Sequence, residues 1–279
     1  MALQSSLQLH KDAGSDSRPL RIVQISDTHI LSQADKSLLG VNTEESFLAV
    51  VELVKQQAFP PDLIVLTGDL AQEPGINAYS RLKLMLTDLK VPCVCLPGNH
   101  DEGLLMVQHL HSNNIYCVTQ VLAGNWQLIC LDSSLEGSEG GHLSEETLQL
   151  LSTYLQQHSQ KPTLVFLHHH PILIGSHWLD TMAIDNADQF FKILNKHPQV
   201  SGIAFGHIHQ IVDTRYQNVR ILGAPSSCFQ FKPNCDDFVL DNKPPGYREI
   251  TLYPNGQIET SVSRIANLPP GLDFSSPGY

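Results

Sequence analysis

The sequence predicts a layered α/β sandwich built on two sheets, and three observations carry that expectation. Short apolar runs rich in β-branched residues recur up to about residue 205. Segments with helical spacing alternate with them. Past Phe205 the helical spacing stops, and strand-like runs separated by turn residues take over.

Residues 1–18 are polar and are read as a loose arm. Leu20–Ser26 is the first expected strand. A helix is expected near Thr43–Gln57, entered through Asn42-Thr43 with Glu45 available for a capping box. Pro60-Pro61 stops it, and Asp62–Thr67 is the second strand. Ile76, Tyr79, Leu82, Leu86 and Leu89 share one helical face, Val91–Leu96 is a strand, and Leu104–His111 a short helix. Gln127–Leu131 follows as a strand. Ser144, with Glu145-Glu146 behind it, caps a helix to about Gln157. Thr163–Leu167 is a strand, Asn186–Lys196 a helix and Gly202–Phe205 a strand. Val219–Leu222, Tyr247–Leu252 and Ile258–Val262 make a β-rich end joined by turns such as Pro254-Asn-Gly256. The expected domain spans 19–265, with a tail at 266–279.

A chain of 279 residues is long enough for one such domain with a sizeable core. No segment approaches the ~20 apolar residues a membrane helix needs. The N-terminus lacks both a basic start and an apolar stretch, so cytoplasmic residence and no membrane partner are expected. The net charge of −11, without a basic cluster interleaved with aromatics, argues against a nucleic-acid polymer as partner. A small phosphate ester stays compatible, because bound cations can supply positive charge locally. The cysteines form no C-x-x-C pair; Cys93, Cys95 and Cys130 lie inside apolar runs, and Cys228 and Cys235 have no assigned role.

Five polar clusters punctuate the chain: Asp27-Thr-His29, Gly68-Asp69, Gly98-Asn-His-Asp101, His168-His-His-Pro171 and Gly206-His-Ile-His209. Each follows an apolar run, so they gather at strand ends along one rim. Asp, Asn and His together suit divalent Fe, Mn or Zn rather than Ca or Mg alone. The set points to a two-metal phosphoester hydrolase. Asp27 and His29, two apart on extended backbone, are expected on one face, and His207 and His209 repeat the device. Each pair can clamp one ion, or the two histidines can reach different ions. The carboxylate of Asp69 can bridge two cations.

This series resembles the calcineurin-like metallophosphoesterase superfamily over roughly residues 20–210. Leu39-Gly-Val-Asn42, the triple-histidine run, Trp178-Leu-Asp180, Phe205–Gln210, Phe229–Pro233 and Gly278-Tyr279 extend the similarity to the bacterial class III cyclic-nucleotide phosphodiesterases of the Icc type. The resemblance implies an α/β/β/α two-sheet sandwich and a cyclic-nucleotide substrate, cyclic AMP, opened to 5′-AMP. It implies two divalent ions, Fe(II) or Mn(II), with Zn or Co admissible, and a bridging hydroxide as nucleophile. One ion would be held by Asp27, His29 and His209, the other by Asn99, His169 and His207, with Asp69 between them. His29, Asp69, Asn99, His100 and His209 would contact substrate. His168 and His170 are read as supporting or packing residues on the opposite side of the strand.

His100 is the candidate proton donor to the leaving alkoxide, since it adjoins Asn99 but is not needed for coordination. Asp101 is placed either to orient His100 or to cap the next helix. For the base, His177 and Trp178 offer a stacking face and Cys228–Phe231 another wall. Two alternatives remain open: another small phosphodiester, such as a glycerophosphodiester or nucleotide, and a non-catalytic protein-binding scaffold.

Overall fold

In the computed structural model, which describes residues 6–9, 18–58 and 60–278, the apolar runs form two stacked sheets. In chain order the first elements are β1 (Ser6–Leu9), β2 (Leu20–Ile25), α1 (Thr43–Lys55), β3 (Leu63–Thr67), α2 (Ile76–Thr87), β4 (Cys93–Leu96), α3 (Gly103–Leu110) and β5 (Ile115–Tyr116). Next come β6 (Gln120–Ala123), β7 (Trp126–Cys130), α4 (Glu145–Gln157), β8 (Thr163–Leu167), α5 (His177–Asp180), α6 (Ala187–Leu194) and β9 (Val200–Phe205). The remainder is β10 (Val212–Tyr216), β11 (Val219–Gly223), β12 (Gln230–Phe231), β13 (Leu240–Asp241), β14 (Gly246–Leu252) and β15 (Ile258–Arg264).

One sheet has the order β15-β14-β2-β3-β4-β5 and the other β1-β6-β7-β8-β9-β11-β10. Both centres are parallel: β2-β3-β4 in the first, β7-β8-β9-β11 in the second. Such strands are covered on both faces, which is why they read as unbroken apolar runs. Alternation divides each run between two cores. Leu63 and Val65 of β3 face Leu164 and Phe166 of β8 between the sheets. Ile64 and Leu66 pack outward beneath the helices that carry Val50 and Leu82. Val165 and Leu167 pack outward with Leu151 of α4 and Phe190 of α6. The layers are therefore α/β/β/α, as expected. Burying a side chain such as Phe166 contributes ~1.5–3 kcal/mol.

Helix entries follow local chemistry. The Asn42 side chain accepts from Glu45 N at 3.2 Å, and Ser144 Oγ accepts from Thr147 N at 3.1 Å. Ser6–Leu9, inside the segment read as a loose arm, is instead an edge strand paired parallel with β6. Leu7 and Leu9 alternate, and both pack against the core between the sheets. The other residues of that arm, 1–5 and 10–17, lie outside the described residues. Past β9 the described residues form strands only, as expected.

The feature that builds the site is the meeting of two sheet edges. β2, β3 and β4 end beside β8 and β9, and cross-links tie them there. Gln24 Nε2 donates to Phe205 O at 3.1 Å, and His168 Nδ1 donates to Thr67 O at 2.7 Å. Ligands of α/β sheets bind outside such carboxyl ends.

Candidate metal centre

All five polar clusters converge on this rim, but not on extended backbone. Asp27, His29, Asp69, His207 and His209 all have positive φ, between 44° and 65°. The expectation that each D-x-H or H-x-H pair shares a face through strand alternation is therefore corrected. Each residue sits at a left-handed corner just past its strand, a conformation that costs a non-glycine residue energy. Cross-chain hydrogen bonds hold the corners. Asp27 N donates to Gly68 O (3.1 Å), His29 N to Asp69 O (2.9 Å) and His207 N to Asp27 Oδ1 (3.0 Å). Gly68 has φ +88°, and Gly98 lies so close to Asp69 that a Cβ there would collide with its carboxylate.

The side chains then aim at two adjoining points. Asp27, His29 and His209 present donor atoms within 4.8 Å of one another, as do His168, His169 and His207, and as do His29, Asp69 and His100. Asp69 Oδ2 lies 3.7 Å from His29 Nε2 and 3.3 Å from His168 Nε2, so it adjoins both groups. Asn99 Oδ1 is 3.1 Å from His168 Nε2. The structure thus brings every candidate ligand to one place, with Asp27, His29, Asp69, His169, His207 and His209 all buried.

Tautomers are set from outside. His29 Nδ1 donates to Gln72 Oε1 (2.8 Å), His209 Nδ1 to Phe229 O (2.9 Å) and His100 Nδ1 to Gln72 O (2.9 Å). Each bond fixes its ring; on His29 and His209 it leaves Nε2 as the inward-facing lone pair, the arrangement that metal-binding histidines require, and on His100 it turns Nε2 toward the cavity. The His169 ring is held in place by Ser133 Oγ, 2.9 Å from its Nδ1. His169 Nε2, His207 Nε2 and Asp27 Oδ2 are buried with no hydrogen-bond partner. Orphaned lone pairs of this kind, aimed together beside buried carboxylates, fit divalent cations.

The electrostatics agree. Burial pushes His29 down to about 3 and holds His169 and His207 well below the ordinary imidazole value, so all three are neutral. Burial would also lower His168, but Asp69 beside it outweighs this and lifts it to about 9. Burial alone would raise Asp69, yet the neighbouring histidines, His168 foremost, hold it well below the usual carboxylate range. His29 is protonated in the unfolded chain below its ordinary value of 6.5 but not in the fold until about 3. Its stabilising contribution is complete above 6.5 and is lost as pH falls through that window. The melting temperature of metal-free protein should accordingly fall between pH 6.5 and pH 4, because His29, His169 and His207 act together in this sense and outnumber Asp101, whose raised carboxyl acts in the opposite one below about 6. A melting temperature that is flat or rises over that range contradicts this account.

Two expectations about neighbours need correction. His168 is not turned away: its Nδ1 donates to Thr67 O at 2.7 Å and its Nε2 enters the cluster between Asp69 and Asn99. The β8 strand ends at Leu167, so strand alternation no longer governs the triple-histidine run. His170 does turn aside, stacking on His207 with centroids 5.8 Å apart. Asp101 neither orients His100 nor caps α3, whose N-cap is Glu102. It accepts from Leu70 N, Ala71 N and Gly98 N at 2.9–3.1 Å and from Tyr79 OH at 3.0 Å, pinning the Asp69 and Asn99 loops together. Desolvation there, with Asp69 nearby, raises its carboxyl to about 6.

Sequence reasoning missed Gln72. Its only signal was position, three residues past Asp69 in the same loop. Its side-chain oxygen fixes His29 and its backbone carbonyl fixes His100, so Gln72→Leu removes only the hold on His29 and should weaken metal binding about 10–100-fold, read by competition with a chelator. Unchanged metal affinity would show that His29 is held by other means.

Beside the cluster lies a cavity of about 210 Å³ lined by Asp69, Asn99, His100 and His207 as well as Trp178, Phe231 and Phe238. His29 and His209 are buried next to it. Trp178 meets Phe231 and Phe238 edge-on, with centroids at 5.0 and 5.4 Å, and Phe231 stacks on His209 at 4.1 Å. The expected aromatic walls are therefore Trp178 and Phe231, joined by Phe238; His177 is exposed. Cys228 is buried and Cys235 partly so, and both thiols are free.

Residues 20–211 match the calcineurin-like phosphoesterase family. The chain belongs to this family. The phosphoesterase is 42% identical to the 3′,5′-cyclic adenosine monophosphate phosphodiesterase CpdA of Vibrio vulnificus, a match covering 93% of this chain and 95% of that protein. It is 41% identical to CpdA of Escherichia coli strain K12 over the same shares. Its fold matches a dimetal phosphatase from Danio rerio with a TM-score of 0.62 at 16% identity, covering 89% of this chain and 100% of that one. The fold of the phosphoesterase implies divalent metal ions, and the His and Asp groups described above suit them. No helix among its described residues is long and apolar enough to cross a membrane.

Proposed function

We propose that this chain hydrolyses 3′,5′-cyclic AMP to 5′-AMP at a dinuclear centre. One ion is assigned to Asp27, His29 and His209 and the other to Asn99, His169 and His207, with Asp69 shared; Fe(II) or Mn(II) suits this donor set, and Zn(II) or Co(II) is admissible. The observation that carries the reading is the position of Asp69 between two groups of buried, inward-facing nitrogens at the wall of an aromatic-lined cavity. Near-complete alignment with two cyclic AMP phosphodiesterases supports the substrate.

Bound by these residues, such an ion pair would supply Lewis acidity and, on this reading, a bridging hydroxide as nucleophile. The chain's own residues do the rest. Among the described residues no Lys or Arg lines the cavity, so neutralising the phosphate would fall to the ions rather than to side chains. Asn99 and His100 are the partly exposed members of the cluster and face incoming substrate. As hydroxide adds to phosphorus the P–O3′ bond breaks, and O3′ takes the Nε2 proton of His100, whose ring carries a proton on both nitrogens before the transfer and keeps the one on Nδ1 after it. The Nδ1–H bond to Gln72 O keeps the His100 ring oriented for that transfer. The adenine base rests against Trp178, Phe231 and Phe238, where flat apolar faces favour stacking. The acidic chain and the small cavity disfavour a nucleic-acid polymer.

The test is metal-resolved kinetics. Metal-free protein reloaded with Fe(II), Mn(II) or Zn(II) is offered cyclic AMP, cyclic GMP and bis(p-nitrophenyl) phosphate, with products separated by chromatography. Release of 5′-AMP is expected. Release of 3′-AMP, or turnover of cyclic AMP by the metal-free protein, overturns the reading.

A further inference from the structure

We infer that the C-terminal segment Gly271–Gly278 is the element that restricts this site to compact phosphodiesters; the inference rests on the phosphodiesterase reading above. After β15 the chain folds back to the rim of the metal cluster and becomes part of the substrate cavity, where Gly278 lines the same space as Asp69, Asn99 and His100.

The segment has an anchor and a hook. At the anchor, Asp273 N donates to Leu39 O at 2.9 Å, and Leu272 packs with Leu38 and Leu39 against the outer core of the seven-stranded sheet. Gly271 and Gly40 meet backbone to backbone, both in the left-handed region at φ +87° and +81°. A Cβ on either would collide with the carbonyl oxygen of the other, so this crossing needs glycine on both sides. In the hook, Asp273 Oδ1 accepts from Ser275 N (2.9 Å) and Ser275 Oγ (2.6 Å), and Ser276 Oγ donates to Gly278 O at 2.9 Å. These bonds turn the chain and bring Gly278 to the cavity wall.

Space is what the hook controls. With Gly278 in its wall the cavity holds about 210 Å³, below the ~300 Å³ at which ordinary ligand pockets begin. In a cyclic diester both ester oxygens belong to one ribose, so nothing extends past the phosphate. A linear diester carries a second group on the departing oxygen, and that group needs room which the hook takes away. The hook itself holds little of the fold together: Phe274 is 52% exposed, and Gly278 contributes no side chain.

Two variants test this: a chain ending at Asp273, which removes the hook, and full-length Leu272→Ala, which loosens the anchor. Each is compared with the intact protein on a linear dinucleotide, adenylyl-3′,5′-adenosine, and on the compact diester methyl p-nitrophenyl phosphate, with melting temperature and metal content recorded. Removing the hook should raise kcat/KM for the dinucleotide about tenfold or more while moving that for the methyl ester less than about twofold, the scale on which pocket shape discriminates between ligands. Leu272→Ala should shift the same ratio in the same direction, and it carries the test if the shortened chain does not fold. A ratio unchanged in folded, metal-loaded variants overturns the inference. Neither substrate is cyclic AMP, so a failure of the cyclic AMP reading appears separately, as an intact protein that leaves cyclic AMP untouched.

Discussion

Asp69→Asn should lower kcat on every phosphodiester by at least about 10²–10³-fold, the scale seen when one essential electrostatic contact is removed from an active site. The substitution is close to isosteric. The amide oxygen can still accept from His100 N, which reaches Asp69 Oδ1 at 3.0 Å, so the Asn99-His100 turn keeps its shape. What disappears is the negative charge set between His29 Nε2 and His168 Nε2. Metal content measured on the purified variant should fall with the activity, while the circular dichroism spectrum stays unchanged. Full turnover in a well-folded, metal-loaded variant would remove Asp69 from the centre.

His100→Ala should behave differently, and the difference identifies its role. A general acid contributes roughly 10²–10⁴-fold when the leaving group needs a proton. The ribose O3′ of cyclic AMP is such a group; p-nitrophenolate departs readily without one. Loss of the imidazole should therefore depress kcat on cyclic AMP by about 10²-fold or more and kcat on bis(p-nitrophenyl) phosphate far less. The ring stands beside the cluster, 5.1 Å from the His29 ring centroid, and is partly open to the cavity. Equal losses on both substrates would instead assign His100 to binding or to support of its neighbours.

The parts of this molecule that the sequence revealed are those governed by burial. β3 and β8 are covered on both faces, so every position is buried and all but the terminal Thr67 and Thr163 are apolar, and the runs announce themselves. The same logic fails at edges. β10 is Val-Asp-Thr-Arg-Tyr with most residues exposed, and β5, β12 and β13 are two residues each, too short for any period to show. Helix α5 is a single turn. For the site, residue type and order sufficed to name the ligand candidates, because few side chains present hard oxygens or imidazole nitrogens at successive strand ends. Geometry did not follow from type. The left-handed corners, the inward turn of His168 and the double hold of Gln72 on His29 and His100 all arise from chain segments meeting across two sheets, which no local spacing records.

Those corners also bear on how such a protein can drift. Aspartate, asparagine and glycine tolerate left-handed backbone, whereas valine and isoleucine pay heavily for it. A descendant that abandoned chemistry altogether would still inherit the five bends at Asp27, His29, Asp69, His207 and His209. Its replacements there should be drawn from that tolerant set, leaving a fossil of the vanished reaction written in backbone preference rather than in ligand identity.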